Sequence, residues 1–133
     1  MYSKKILNRF QKPKFAGEIK RADSVGEFGN VTCGDIMRVY LKIEKNKQGK
    51  KIIKDIKFKT YGCVAAIVST DYLCEIVKGK TLDQAIKVTS KDVVKKMGKV
   101  PTIKLHCSIL AQNALKKAIQ GYRKKIKKKK ELN

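Results

Sequence analysis

The sequence of 133 residues has no tryptophan, one histidine, two prolines and four cysteines. No apolar run approaches the roughly 20 residues of a membrane-spanning helix, and the first residues lack the apolar stretch of a signal peptide. The expectation is therefore a cytoplasmic protein without membrane contact. In that reducing compartment four scattered cysteines read as thiols, metal ligands or nucleophiles rather than a disulfide framework. Acidic residues are also scarce, 11 against 33 Lys and Arg, for a net charge of +22. A polyanionic partner or a lysine-rich host proteome would both account for the excess. With few aromatic rings and none of the common nucleic-acid signatures, base-specific recognition is not expected, and contact with nucleic acid should be non-specific.

The length suits one domain with its own core. Residues 3–10 place Ile6, Leu7 and Phe10 on one side of a short helix that Pro13 would end. Residues 17–25 alternate weakly and read as a first strand, followed by a loop over residues 26–30. Met37, Val39, Leu41 and Ile43 alternate with polar residues as a half-buried strand. After turn residues 46–49 a partner strand carries Ile52, Ile56 and Phe58 on one face.

Beyond Cys63 the period becomes helical. Ala66, Ile67, Thr70, Leu73, Cys74 and Val77 form one stripe, which Gly79 can end. Thr81 and Gln84 fit a capping box, Ser90 can cap another helix that ends at Gly98, and an amphipathic helix runs from Cys107 to about Tyr122. The expected fold is α+β: a small antiparallel three-stranded sheet, helices packed on one face, and a long C-terminal helix. Residues 1–122 would form the domain and residues 123–133 a basic, mobile tail.

The chemistry-bearing residues lie at element ends. Cys33 and Asp35 precede one strand, Cys63 follows its partner, and His106-Cys107 opens the long helix. In an antiparallel pair the start of one strand neighbours the end of the next, so Cys33, Asp35 and Cys63 can meet at one edge of the sheet. Three thiolates with a carboxylate and an imidazole would suit tetrahedral zinc or an iron-sulfur cluster. Cys107, at a helix start where the dipole favours a thiolate, is the reactive candidate. Cys74, on an apolar stripe, reads as core.

Four runs identify a family by resemblance: Cys33-Gly34-Asp35-Ile36-Met37, Phe58-Lys59-Thr60-Tyr61-Gly62-Cys63, Val77-Lys78-Gly79-Lys80, and Lys104 through Ala111 with His106-Cys107 at its centre. Colinear and correctly spaced from Tyr2 to about Tyr122, they resemble the iron-sulfur cluster assembly scaffolds of the IscU or NifU N-terminal type. The short gap between Cys63 and Cys107, with His106 present, looks like the IscU branch.

The resemblance implies an assembly platform rather than an enzyme, with sulfurtransferase-like acceptance of sulfur. A cysteine desulfurase would deliver persulfide sulfur to Cys107. Iron would come from a donor with a ferredoxin-type reductant, and a transient [2Fe-2S] cluster would be held by Cys33, Cys63 and Cys107 and passed to apo-proteins. Asp35 would stand near the metal, His106 would be an optional ligand and Lys104 a neighbouring cation. Zinc can occupy the same ligands, Tyr2 matches a residue implicated in transient dimers, and a monomer is the other state.

Three departures stand out. Val64 replaces a usual glycine, Val100-Pro101-Thr102-Ile103-Lys104 keeps one proline of the two in the run associated with an Hsp70-type chaperone, and family members are not usually this basic. Two other functions stay open: a zinc-dependent sulfur acceptor, which would use the same residues, and a basic nucleic-acid-binding domain with structural zinc, which would use the lysines instead.

Overall fold

The computed structural model describes residues 4–30, 35–60, 64–98 and 105–132. In chain order the elements are α1 (Lys4–Gln11), β1 (Ser24–Asn30), β2 (Asp35–Lys45), β3 (Lys51–Thr60), α2 (Val64–Val77), α3 (Leu82–Ile86), α4 (Ser90–Met97) and α5 (Leu105–Leu132). The strands form one antiparallel sheet in the order β1-β2-β3, with helices against one face, as the sequence pattern predicts.

Alternation fixes that face. Met37, Val39 and Leu41 of β2 are buried, as are Ile53, Ile56 and Phe58 of β3, and they meet Leu73 and Val77 of α2 and Leu115 and Ile119 of α5 in one core. The phase of β3 differs from the sequence reading, which places Ile52 inward. Lys42 pairs with Asp55 but Ile43 with Ile53, so Lys54 is an extra residue; the bulge turns Ile53 into the core and leaves Ile52 half-buried.

The first strand also lies elsewhere than expected. Residues 26–30, read as a loop, belong to β1, whereas residues 15–17 run beside β3: Gly17 N donates to Phe58 O at 2.8 Å and Phe58 N to Phe15 O at 2.9 Å. Packing explains why β1 looks unlike a strand. A Cβ on Gly26 would stand 2.2 Å from Ala114 O and 2.4 Å from Ala118 N, so only glycine lets the α5 backbone press this closely on the sheet. Ser24 Oγ donates to Ala118 O at 2.6 Å beside it. The chain from 18 to 22 crosses the outer face of the sheet, where Lys42 Nζ donates to Arg21 O, and regains the β1 side with Asp23 N bonded to Leu41 O.

Gly79, at φ +86°, ends the α2 segment as predicted, and residues 79–81 return along β3, Ile53 N donating to Lys80 O at 2.9 Å. Thr81 and Gln84 make the predicted capping box on α3. The cap of α4 is Thr89 rather than Ser90: Asp92 Oδ2 accepts from Thr89 N at 2.9 Å, which makes Ser90 the first helical residue. The helical backbone of α5 begins two residues before Cys107 and continues through the basic run to Leu132. Among the described residues, no helix is long and apolar enough to cross a membrane.

Candidate functional site

Two ends of the molecule can be told apart from backbone pairing. Asn30 pairs with Asp35 where β1 gives way to β2, and Met37 pairs with Thr60 at the last residue of β3, so these ends lie side by side. The direction of α5 follows from its contacts. Ala118 meets Ser24, Ala114 meets Gly26, and at the far end Lys51 Nζ lies 5.0 Å from the Tyr122 ring centre while Arg123 pairs with Asp83. Since Lys51 opens β3 opposite Thr60, the first turn of α5 lies toward Asn30, Asp35 and Thr60.

Against this frame, Asp35 is the first residue of β2, and His106 and Cys107 are the second and third residues of α5. Val64 is the first residue of α2, with no positive-φ non-glycine residue among those described. Cys33, Cys63, Lys104 and Tyr2 lie outside the described residues. Along the chain Cys33 is two residues from Asp35, and Cys63 directly precedes Val64. Among the described side chains, no group of three or more His, Cys, Asp or Glu is placed to hold a metal ion.

Cys74 is 1% exposed in the core of α2, where burial pushes its thiol well above the ordinary range and the Asp71 carboxylate adds to the effect. Such a thiol is not nucleophilic at neutral pH.

One polar centre escapes sequence reading. Asp71 on α2 is fully buried; it accepts from Arg9 Nε, from Lys14 N at 3.1 Å and from Phe15 N at 2.7 Å. Arg9 lies over the Tyr72 ring at 4.2 Å and reaches Glu75 at 3.3 Å. This network ties α1 and the following segment to the helix that begins immediately after Cys63. Its partners are 56 to 62 residues away in sequence, so no local pattern signals it.

The model of the NifU-like N-terminal domain family matches residues 1–129. The chain belongs to this family. It is 45% identical over 125 residues to iron-sulfur cluster assembly scaffold protein IscU 1 of Archaeoglobus fulgidus, covering 94% of this chain and 78% of that protein. It is 40% identical over 128 residues to the mitochondrial iron sulfur cluster assembly protein 1 of Debaryomyces hansenii, covering 94% of this chain and 69% of that one. The nitrogen fixation protein NifU of a Nostoc species is 41% identical over 128 residues, 92% of this chain but 42% of the longer protein. In fold, the chain is similar to a putative SUF-system scaffold protein from Fervidobacterium islandicum, with TM-score 0.67 and 24% identity over 89% of this chain and 96% of that one. These relatives place the IscU/NifU resemblance on the whole domain rather than on its cysteine motifs alone.

Proposed function

We propose that this protein is a scaffold for iron-sulfur cluster assembly, holding sulfur and iron within reach of each other and passing on the finished cluster. The carrying observation is the convergence of Asp35, Thr60 and the first turn of α5 on one end of the sheet, in a chain whose relatives are named as scaffolds. The cargo is a [2Fe-2S] cluster, with Cys33, Cys63 and Cys107 as thiolate ligands, Asp35 as the exchangeable oxygen ligand, His106 as an accessory ligand and Lys104 as a cation beside them. This donor set also accepts zinc, which would occupy the site before iron arrives.

Cys107 is the sulfur acceptor. The dipole at the start of α5 favours its thiolate, which attacks the terminal sulfur of a persulfide on a cysteine desulfurase. A new S–S bond forms on Cys107, the old one breaks, and the desulfurase cysteine leaves as thiolate. The protein contributes proximity and release rather than turnover of a substrate of its own. The partners are a desulfurase, an iron donor with a ferredoxin-type reductant, and apo-protein recipients, and the setting is the reducing cytoplasm. An Hsp70-type chaperone is not required by this reading, since Val100–Lys104 keeps only Pro101.

Anaerobic reconstitution with a desulfurase, cysteine and ferrous iron tests the proposal. A brown protein with sulfur-to-iron charge-transfer absorption and the Mössbauer doublets of a [2Fe-2S] centre is expected. A colourless product with tightly held zinc and sulfur relayed onward would replace the scaffold by a zinc-dependent sulfur acceptor.

A further inference from the structure

The end of the molecule opposite Asp35 carries charge that cluster assembly does not use. The turn between β2 and β3 brings Lys45, Lys47, Lys50 and Lys51 together with no acidic residue among them. Asn46 fixes this turn, its side-chain oxygen accepting from Gln48 N and Lys50 N, each at 2.9 Å. Against it lie Lys80, hydrogen-bonded to Ile53, and the α5 segment that carries Arg123, Lys124, Lys125 and Lys127, all four exposed. Between turn, α3 and α5 is a cleft of about 380 Å³ lined by Lys50, Lys51, Thr81, Asp83 and Arg123.

Among the described side chains, the carboxylates at this end are already engaged. Glu44 pairs with Lys54, Asp55 with Lys78 and Asp83 with Arg123. Among the described residues, no carboxylate pairs with Lys45, Lys47, Lys50, Lys124, Lys125 or Lys127, so this end carries a net positive excess. Apolar anchors are missing: the large exposed hydrophobic residues among those described are Leu7 and Phe10 on α1 and Val25 on the outer face of the sheet. A protein partner draws most of its binding energy from buried aromatic and aliphatic anchors, and a lipid surface takes inserted apolar side chains. Phosphate groups along a chain need only cations, whose binding is driven by counterion release.

We propose that this cationic end docks the phosphodiester backbone of a nucleic acid without regard to base sequence, leaving the opposite end exposed. The charges sit on a braced turn and a helix, so they form a fixed surface rather than a diffuse cloud. This proposal stands apart from cluster assembly and does not depend on it.

The test uses the full chain and a short fluorescein-labelled DNA duplex followed by anisotropy. Engagement of six phosphates predicts that affinity falls about a thousandfold between roughly 50 and 200 mM salt. One variant replaces Lys45, Lys47, Lys50, Lys124 and Lys125 by Gln; a charge-matched control replaces Lys4, Lys12, Lys20, Lys91 and Lys95. All ten lysines are exposed, and circular dichroism with thermal unfolding checks that both variants fold. The first variant should flatten the logarithmic salt slope by about four, the control by less than about one. As a readout independent of substitution, bound duplex should protect Lys45, Lys47 and Lys50 from acetylation more than Lys91 and Lys95. Equal loss in both variants would show a net-charge effect and overturn the docking surface. Preferential binding of polyglutamate or phosphatidylserine vesicles over the duplex at the same salt would overturn the choice of partner.

Discussion

Replacing Gly26 by Ala should damage this fold more than a methyl group added at Gly17, Gly49, Gly79, Gly98 or Gly121. The new Cβ would lie 2.2 Å from Ala114 O, 2.4 Å from Ala118 N and 2.9 Å from Ala118 Cα, all backbone atoms of α5. Ordinary contact needs at least 3.4 Å, so the helix must retreat by about 1 Å or the strand must bend away. Either movement loosens Ala111, Ala114, Leu115 and Ala118, which are 0–1% exposed. Overpacking of a core commonly costs about 1–3 kcal/mol, and with no flexible side chain to yield the cost here should reach the top of that range. For a domain of this size about 3 kcal/mol lowers Tm by roughly 10 °C. Gly121→Ala is the internal comparison: its Cβ would meet only Ser24 Oγ at 3.5 Å, and the gain in helix propensity should stabilise by up to about 1 kcal/mol. Urea unfolding followed by circular dichroism gives both values. A Gly26→Ala protein within about 1 kcal/mol of the parent would refute the close-packing argument. Because α5 carries His106 and Cys107, cluster yield should fall with it.

The remaining predictions concern single side chains. Asp71→Ala leaves Arg9 to the Glu75 carboxylate, removes the acceptor of the Lys14 and Phe15 N–H groups in a buried site, and urea unfolding should show a loss of about 3 kcal/mol. Cys107→Ser should abolish persulfide acceptance while Cys74→Ser leaves it intact; mass spectrometry after desulfurase treatment would reverse the assignment by finding persulfide on Cys74 alone. Asp35→Ala should still assemble a cluster, with slower decay in air and slower transfer to an apo-ferredoxin, and faster decay would make Asp35 a supporting ligand instead of a release device. Hydrogen bonding from Lys96, helped by Arg9 and opposed by desolvation, holds Glu75 below its ordinary value of 4.5. Its contribution is therefore present above that value and lost as pH falls through the lower folded pKa. Glu75→Gln should unfold at lower urea than the parent at neutral pH, with the gap closing in acid; a constant gap would rule out the linkage.

Where local pattern and tertiary packing agree, the structure could be read in advance. The alternation of β2, the Thr81–Gln84 capping box, the stop at Gly79 and the burial of Cys74 all follow from neighbours within a few residues. The misreadings have distant causes. Gly26 and Gly29 weaken the strand signal of β1, and the reason for Gly26 lies on a helix about ninety residues away. The inward position of Ile53 depends on a bulge that only pairing with β2 reveals. Asp71 resembles an exposed helix residue until Arg9 and Phe15 are brought to it. The candidate cysteines could be named from spacing and family likeness, whereas the approach of the first turn of α5 to Asp35 and Thr60 depends on the direction of that helix, which periodicity cannot supply.

That direction makes α5 a spacer with distinct terminals. From Cys107 to Arg123 the helix advances about 24 Å at 1.5 Å per residue, about three times the Debye length at physiological salt. A polyanion held at the lysine-rich terminal would therefore leave the ionisation of Cys107 at the other almost untouched. The chain could be moored by one end and still load and unload at the other with its chemistry unaltered, much as a berth holds a vessel by the stern while cargo crosses the bow.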